Sequence, residues 1–400
     1  MTSWLPTVKI GLAVLNWLVA AGWLWRVATT LKNLPGVPDL LDPKFDAQVS
    51  VAGAGIPEVC IIVPARNEAE SIALNLHSLL ALRGPNFEII AVDDRSSDTT
   101  GAIMDSIARE NAGTLQVIQV TDLPSGWLGK PHAMALAARQ ATAPWLLFTD
   151  GDVIFREDAL RRALDLCSKL AVDHLVVFPT LILESMGERM MIGFFYAALI
   201  WGARPWRVSD PKAKGDFAGI GAFNLIRREV YAAVGGYESL RMEVLDDVRL
   251  GFAVKRKGYR QQMAFGRNLI RIHWARGALG IVHNLTKNIF ALFRFRPLVV
   301  LAAWLGLFVI TILPALGLFG GTGMRSASLA TFLLLGLLYW RYRRHSGIPI
   351  AYALTFPVAA TLALYAILRS MIVTLARGGI DWRGTRYPLK ELRKQAGSWR

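Results

Sequence analysis

The chain is 400 residues long and 53% hydrophobic, with a formal net charge of +15 and a mean hydropathy of +0.36. So much apolar side chain excludes an ordinary soluble enzyme and fits one large domain plus membrane segments. The basic residues are spread out and many flank apolar runs, which suits an anionic membrane face better than nucleic acid, while Cys60 and Cys167 form no CxxC or Cys/His cluster and indicate neither a zinc site nor a disulfide framework.

Val8 to Trp25 is almost continuously apolar, interrupted by Lys9 and Asn16, and is long enough to span a bilayer. Trp23 and Trp25 suit an interfacial belt, and Arg26 and Lys32 follow. Val19-Ala20-Ala21 has the look of a signal-peptide cleavage site, but Lys9 alone makes a thin basic n-region, so an uncleaved anchor over residues 1–30 is expected. Positive residues after the span put the next domain in the cytoplasm. Residues 31–56 read as a linker, with Pro, Gly and Asp from Pro35 to Ile56.

A soluble α/β domain is expected over residues 57–275. Val59 to Val63 is a strand, stopped by Pro64 and followed by a helix from Ser71 to Leu82, so Arg66, Asn67 and Glu68 fall at a βα turn. Phe87 to Val92 is a second strand ending in Asp93 and Asp94, acids able to accept from a base N–H or ribose hydroxyls, with Asp98 more suited to capping the next helix. Leu115 to Val120 is a third strand, and the alternation predicts a parallel sheet. Lys130 opens a helix, where a cation beside free amides suits a diphosphate; taken alone it reads as a surface lysine, but its place just before the D-G-D strand favours the phosphate contact, and His132 receives no role. The apolar WLLF run ends in Asp150-Gly151-Asp152. Paired carboxylates at a strand's C-terminal end suit a hard cation, Mg²⁺ or Mn²⁺, that recruits substrate phosphates; Asp-Gly is also a common turn. Leu175 to Thr180 is another strand. Residues 188–206 are too broken by Gly193, Gly202 and Pro205 for a span and read as an interfacial or re-entrant helix, with a buried core helix as the alternative. The glycines of Phe217 to Asn224 would let backbone approach an acceptor or simply form a tight turn. Asp246 and Asp247 open a helix, where two acids can act as plain caps.

Five segments in this order, V-P-A-R-N-E (63–68), V-D-D-R-S-S-D-T-T (92–100), G-K-P-H-A (129–133), T-D-G-D (149–152) and L-D-D-V (245–248), resemble the family-two inverting glycosyltransferases of the GT-A fold, over about Val59 to His273. The anchored flanks, G-K-P-H-A and the C-terminal W-R-G-T-R-Y look most like the lipid-directed branch, which includes ceramide glucosyltransferase-like, hopanoid-associated and carotenoid glycosyltransferases. The resemblance implies a Rossmann-like, mixed and mostly parallel sheet. It implies that Glu68 and Asp94 hold the nucleoside with Asp93 in support, that Asp150 and Asp152 hold Mg²⁺ or Mn²⁺ against the diphosphate, and that Lys130 adds charge. It maps the general base to Asp247 and a supporting place to Asp246. The donor would be a nucleotide-sugar, read as a UDP-sugar, and the acceptor a lipid hydroxyl. The Q-x-x-R-W pattern of processive synthases is missing; the comparable stretch reads Arg271-Ile272-His273-Trp274-Ala275-Arg276, so a polymerase is disfavoured. The rivals are a polyprenyl-phosphate glycosyltransferase and a non-catalytic nucleotide-binding membrane scaffold.

Residues 276–297 are expected at the interface and residues 298–376 in the membrane, with apolar runs at Leu298–Phe319, Ala327–Trp340 and Ile348–Leu375, the middle one short. One N-terminal and about three C-terminal membrane helices follow, in an integral protein of a bacterial inner membrane with its catalytic domain in the cytoplasm. Three crossings, however, leave the basic tail, residues 377–400, outside, against the positive-inside rule.

Overall fold

The computed structural model describes residues 4–46 and 57–395, with side chains from Thr7 to Lys394. Part of the expected linker (47–56) and the end of the basic tail (396–400) lie outside the described residues. The chain divides into two units: residues 1–35, 183–203 and 274–380 form one, and residues 36–182, 204–273 and 381–400 form the other.

In chain order, α1 (Trp4–Asn33) precedes β1 (Val59–Ala65), α2 (Ile72–Leu80), β2 (Phe87–Asp94), α3 (Thr100–Glu110), β3 (Leu115–Val120), α4 (Gly129–Gln140), β4 (Trp145–Phe148), β5 (Val153–Phe155) and α5 (Ala159–Leu170). Then come β6 (His174–Phe178), β7 (Thr180–Leu181), α6 (Met186–Gly202), β8 (Asn224–Arg227), α7 (Arg228–Ala233), α8 (Asp246–Arg256), β9 (Gln261–Phe265) and β10 (Ile270–Ile272). The chain continues through α9 (Gly277–Leu292), α10 (Pro297–Thr311), α11 (Leu313–Gly317), α12 (Thr322–Ser346), α13 (Phe356–Arg377), β11 (Gly379–Trp382), β12 (Thr385–Pro388) and α14 (Leu389–Gln395).

The α/β unit is built on a seven-stranded sheet of order β3-β2-β1-β4-β8-β6-β9, parallel except where β8 meets β4 and β6. A small sheet, β5-β10-β7, stands apart from it. The central β1 is apolar at successive positions because both its faces are covered. Val59, Ile61 and Val63 join one core with α2, α3 and α5, whereas Cys60 and Ile62 join another with α4 and α8. Pro64 does not stop β1 as expected, and the strand runs on to Ala65. Its β4 neighbour pairs only as far as Ile62, so at Pro64 there is no partner carbonyl to miss the absent N–H. The strand expected over Leu175 to Thr180 is divided between β6 and β7, which belong to different sheets.

The helical unit contains α1, α6 and α9 to α13. Three segments are long and apolar enough to cross a membrane: Thr7–Gly36, Pro297–Gly317 and Ile350–Arg377. The third C-terminal helix expected does not join them: α12 has the length, at 25 residues, but Arg325, Arg341, Arg343 and Arg344 lower its hydropathy. It packs instead along α1, where the buried Asn16 amide donates to Ser328 Oγ and the Met324 carbonyl, each at 2.9 Å. Helix α6 begins at a full capping box, Ser185 with Glu188, and buries Met191, Phe194, Tyr196 and Ile200 within this unit. Alanines 359, 360, 363 and 366 are buried on α13, which packs against α9 and α10, the small-residue packing usual for apolar helices.

Candidate active site

Strand order puts β2 on one side of β1 and β4 on the other, so the connections leaving these strands diverge at their C-terminal ends and open a crevice. The predicted site residues converge there. Glu68 follows β1, Asp93 and Asp94 end β2, Asp150 and Asp152 flank the turn between β4 and β5, and Lys130 stands in the first turn of α4.

At the β4 end, Lys130 Nζ lies 2.5 Å from Asp150 Oδ1. Burial works against the ammonium, but Asp150, Asp246 and Asp247 outweigh it and hold the lysine charged well above its ordinary range. The buried Asn75 of α2 clamps the same turn, donating to the carbonyls of Val153 at 2.7 Å and Asp150 at 3.2 Å. Asp152 has a buried Oδ1 with no hydrogen-bond partner. Burial, then the charges of Asp150 and Glu68, push its carboxyl up to about 7, with Arg383 pulling the other way.

Helix α8 brings Asp246 and Asp247 to this cluster. Asp246 is buried, its Oδ2 lacks a partner, and burial raises it to about 7 against the pull of Lys130. Asp247 is also raised, by burial above all, while amides of Val248 (2.7 Å) and Gly221 donate to its carboxylate. The glycine stretch, read as a close approach to an acceptor or a tight turn, lies against these acids. A Cβ on Gly221 would stand 2.5 Å from Asp150 Oδ2 and 3.2 Å from Lys130 Nζ, so a side chain there would have to displace that carboxylate. A buried polar chain holds the loop to α8: Gln261 accepts from the Ala218 amide and donates to the carbonyls of Ala218 and Gly251, each near 3.0 Å. The same Gln261 nitrogen, its two hydrogens shared among these acceptors, lies 2.8 Å from Nδ1 of His174; with the ring proton on Nε2, His174 donates to Asn224 Oδ1. Burial keeps this histidine neutral, down to about 4.

At the β1 and β2 ends the acids have separate tasks. Asp93 is buried and accepts from the Ser96 amide at 3.2 Å, so it shapes the turn into α3 rather than facing the crevice. Asp94 takes a bidentate pair from Arg95, at 2.7 and 3.1 Å, and has Arg66 at 3.9 Å. The start of α4 is pressed against it: a Cβ on Gly129 would overlap Asp94 and crowd Arg95. Glu68 accepts from Ser71 Oγ at 3.2 Å and pairs with Arg383. His132 packs edge-on against Trp127, with centroids 5.3 Å apart.

Among the described residues no three His, Cys, Asp or Glu side chains are arranged to hold a metal by themselves. Two carboxylates awaiting oxygens from a diphosphate are the usual arrangement for Mg²⁺.

Residues 60–235 match the model of the family described as "Glycosyl transferase family 2". The match covers less than half of the chain, and the family is what this stretch is similar to. A 4,4'-diaponeurosporenoate glycosyltransferase of Staphylococcus aureus (strain MRSA252) is 27% identical over 236 residues, 58% of this chain and 60% of that protein. The counterpart from strain USA300 matches to the same extent, so the match spans about 60% of the length of these curated relatives. Among solved structures, a mannosyltransferase from Pyrobaculum calidifontis, PcManGT, in complex with GDP-Man and Mn²⁺, is similar at a TM-score of 0.53 and 20% identity, over 88% of this chain and 99% of that one. The similarity identifies the fold as GT-A.

Sequence reading missed Asn75, Gln261 and the C-terminal hairpin residues Arg383, Thr385 and Tyr387. Asn75 and Gln261 have no local signature. The hairpin stood out as the W-R-G-T-R-Y motif, with no role attached.

Proposed function

We propose that the protein is a membrane-bound inverting glycosyltransferase that moves a single sugar from a nucleotide-sugar, read as a UDP-sugar, to a lipid hydroxyl. The observation that carries this reading is the meeting of Lys130, Asp150, Asp246 and Asp247 in one charged crevice at the C-terminal end of the sheet, beside Glu68. The relatives' names support an apolar acceptor, and the bound GDP-Man and Mn²⁺ of the mannosyltransferase support a nucleotide-sugar and a divalent metal.

The residues present fit such a metal. Asp150 and Asp152 are hard oxygen donors, and the unpartnered Asp152 oxygen and raised carboxyl mark a site short of positive charge. These two aspartates would hold Mg²⁺ or Mn²⁺, which when bound supplies Lewis-acid neutralisation of charge on the leaving diphosphate. Lys130 adds a fixed positive charge at the same place. Glu68 and Asp94 take the nucleoside, with Asp93 fixing their turn.

Asp247 removes the proton of the acceptor hydroxyl as its oxygen bonds to the anomeric carbon and the bond to the diphosphate breaks on the opposite face. Burial makes this carboxylate a stronger base than in water, and the two amides hold it in place. One displacement inverts the configuration, and no covalent nucleophile is needed.

The α/β unit is cytoplasmic in this reading, and α1, α10 with α11, and α13 cross the membrane. Residues 381–400 belong to the same unit as residues 57–182, which supports an even number of crossings between them. Two C-terminal crossings would bring the basic tail back inside, in line with the positive-inside rule.

The test is mass spectrometry of lipids from a heterologous host expressing the native chain or Asp247→Asn. The native chain should add one hexose to a lipid, and the variant should bind donor normally while transfer falls at least about a hundredfold. Near-native transfer by the variant would replace the hydroxyl with an already ionised acceptor oxygen, phosphate or carboxylate, which needs no base.

A further inference from the structure

The C-terminal hairpin of β11 and β12 turns through Arg383 and Gly384, both at positive φ, +48° and +76°, as a two-residue type I′ turn requires. Glycine suits that conformation; arginine at its first position is uncommon and costs about 1 kcal/mol or more unless its surroundings hold it there. What holds it is the donor crevice. Arg383 donates to the Arg66 carbonyl at 2.6 Å and pairs with Glu68. Arg66 in turn donates to Thr385 Oγ1 at 3.0 Å, and the Gly129 amide donates to the Tyr387 hydroxyl at 3.2 Å. The hairpin therefore touches the end of β1 and the start of α4, the two places assigned to the nucleotide, from more than 250 residues away in sequence.

Stability does not explain the arginine. Its side chain is 42% exposed, and an ion pair that open contributes little. Its charge nonetheless reaches Asp152, and only part of its five-donor fork is engaged. Beside it the buried Arg66 Nε has no acceptor. Arginine N–H groups close to a metal-type carboxylate match the oxygens of a diphosphate.

We propose that the hairpin Gly379–Pro388 forms one wall of the donor site, and that Arg383 is a diphosphate-binding residue: it keeps Glu68 while its remaining N–H donors, with Arg66 Nε, take the diphosphate oxygens of the donor. Tyr387 positions the α4 N-terminus behind them. This rests on the glycosyltransferase reading of the crevice.

The experiment is calorimetric titration of the full chain in nanodiscs, with Mn²⁺ present, against UDP, GDP, ADP and CDP and then against the nucleoside of whichever binds best. Arg383→Ala should weaken the diphosphate about tenfold or more, leave the nucleoside within about threefold, and leave the unfolding temperature unchanged. Arg383→Lys should recover part of the loss, since it keeps the charge without the fork. Tyr387→Phe should weaken the diphosphate by a smaller factor. Equal loss of nucleoside and diphosphate together with a lower unfolding temperature would make the hairpin a structural clamp and overturn the proposal, as would native diphosphate affinity in Arg383→Ala. If the native chain binds none of the four diphosphates, the glycosyltransferase reading itself falls, and this proposal with it.

Discussion

Lys130 Nζ stands 2.5 Å from Asp150 Oδ1, so one of the two carboxylates expected to hold a metal already carries a counter-charge from the chain. The lysine neutralises part of a cluster that also contains Asp246 and Asp247. Removing it leaves the acids facing one another in a largely buried place.

Lys130→Met should therefore cost about 2 kcal/mol of stability, below the range for a fully buried pair because both side chains keep some exposure. Mn²⁺ should then raise the unfolding temperature more in this variant than in the native chain, because the ion replaces the missing charge. Thermal unfolding with and without Mn²⁺ reads both effects. An equal metal-induced shift in the two proteins would separate the lysine from the metal position.

The buried Asp246 predicts a pH dependence of defined sign. Its carboxyl is pushed up to about 7 by burial, against an ordinary 3.8. Between those values the folded state holds a proton that the unfolded state has lost. This contribution to stability is complete below about pH 4 and disappears as pH rises through about 7. Asp246→Asn has no such titration, so its stability relative to the native chain should rise from about pH 5 to about pH 8 in metal-free buffer. A difference independent of pH in thermal melts would show that Asp246 is ionised throughout.

Gln261 ties the glycine loop, α8 and His174 together through both ends of its side-chain amide. Gln261→Leu leaves buried amide and carbonyl groups without partners and should lower stability by about 3 kcal/mol. Transfer should fall more than donor affinity, because the loop that loosens is the one holding Asp247. Urea titration and initial rates on the same preparations test this; unchanged rates would detach the loop from catalysis.

The tail makes a topological prediction. Lys390 and Glu110 are both exposed in the α/β unit, while Cys60 and Cys167 are buried. Lys390→Cys and Glu110→Cys should react with an impermeant maleimide from the same side of the membrane, in inverted vesicles and not in intact cells. Labelling from opposite sides would require an odd number of crossings between them.

Much of the α/β unit was legible because its signals are local. A strand covered on both faces must be apolar at every position, so V-C-I-I-V and W-L-L-F stand out, and acids placed directly after such runs fall at the mouth of the sheet. The long apolar helices were legible for the same reason, since length and hydropathy are summed along the chain. Side-chain partners were not. That Asp93 turns inward, that Lys130 meets Asp150, that Gly221 yields space to that carboxylate, and that Arg383 returns to Glu68 are contacts between distant positions. Nothing in the local pattern of a lysine, a glycine or an arginine encodes its partner. The partner is chosen when the sheet order and helix packing bring two segments together, and burial then decides which charges must pair. The same applies to α12 and the tail: composition gave their polarity, but only packing made one a partner of α1 and brought the other to Arg66 and Gly129.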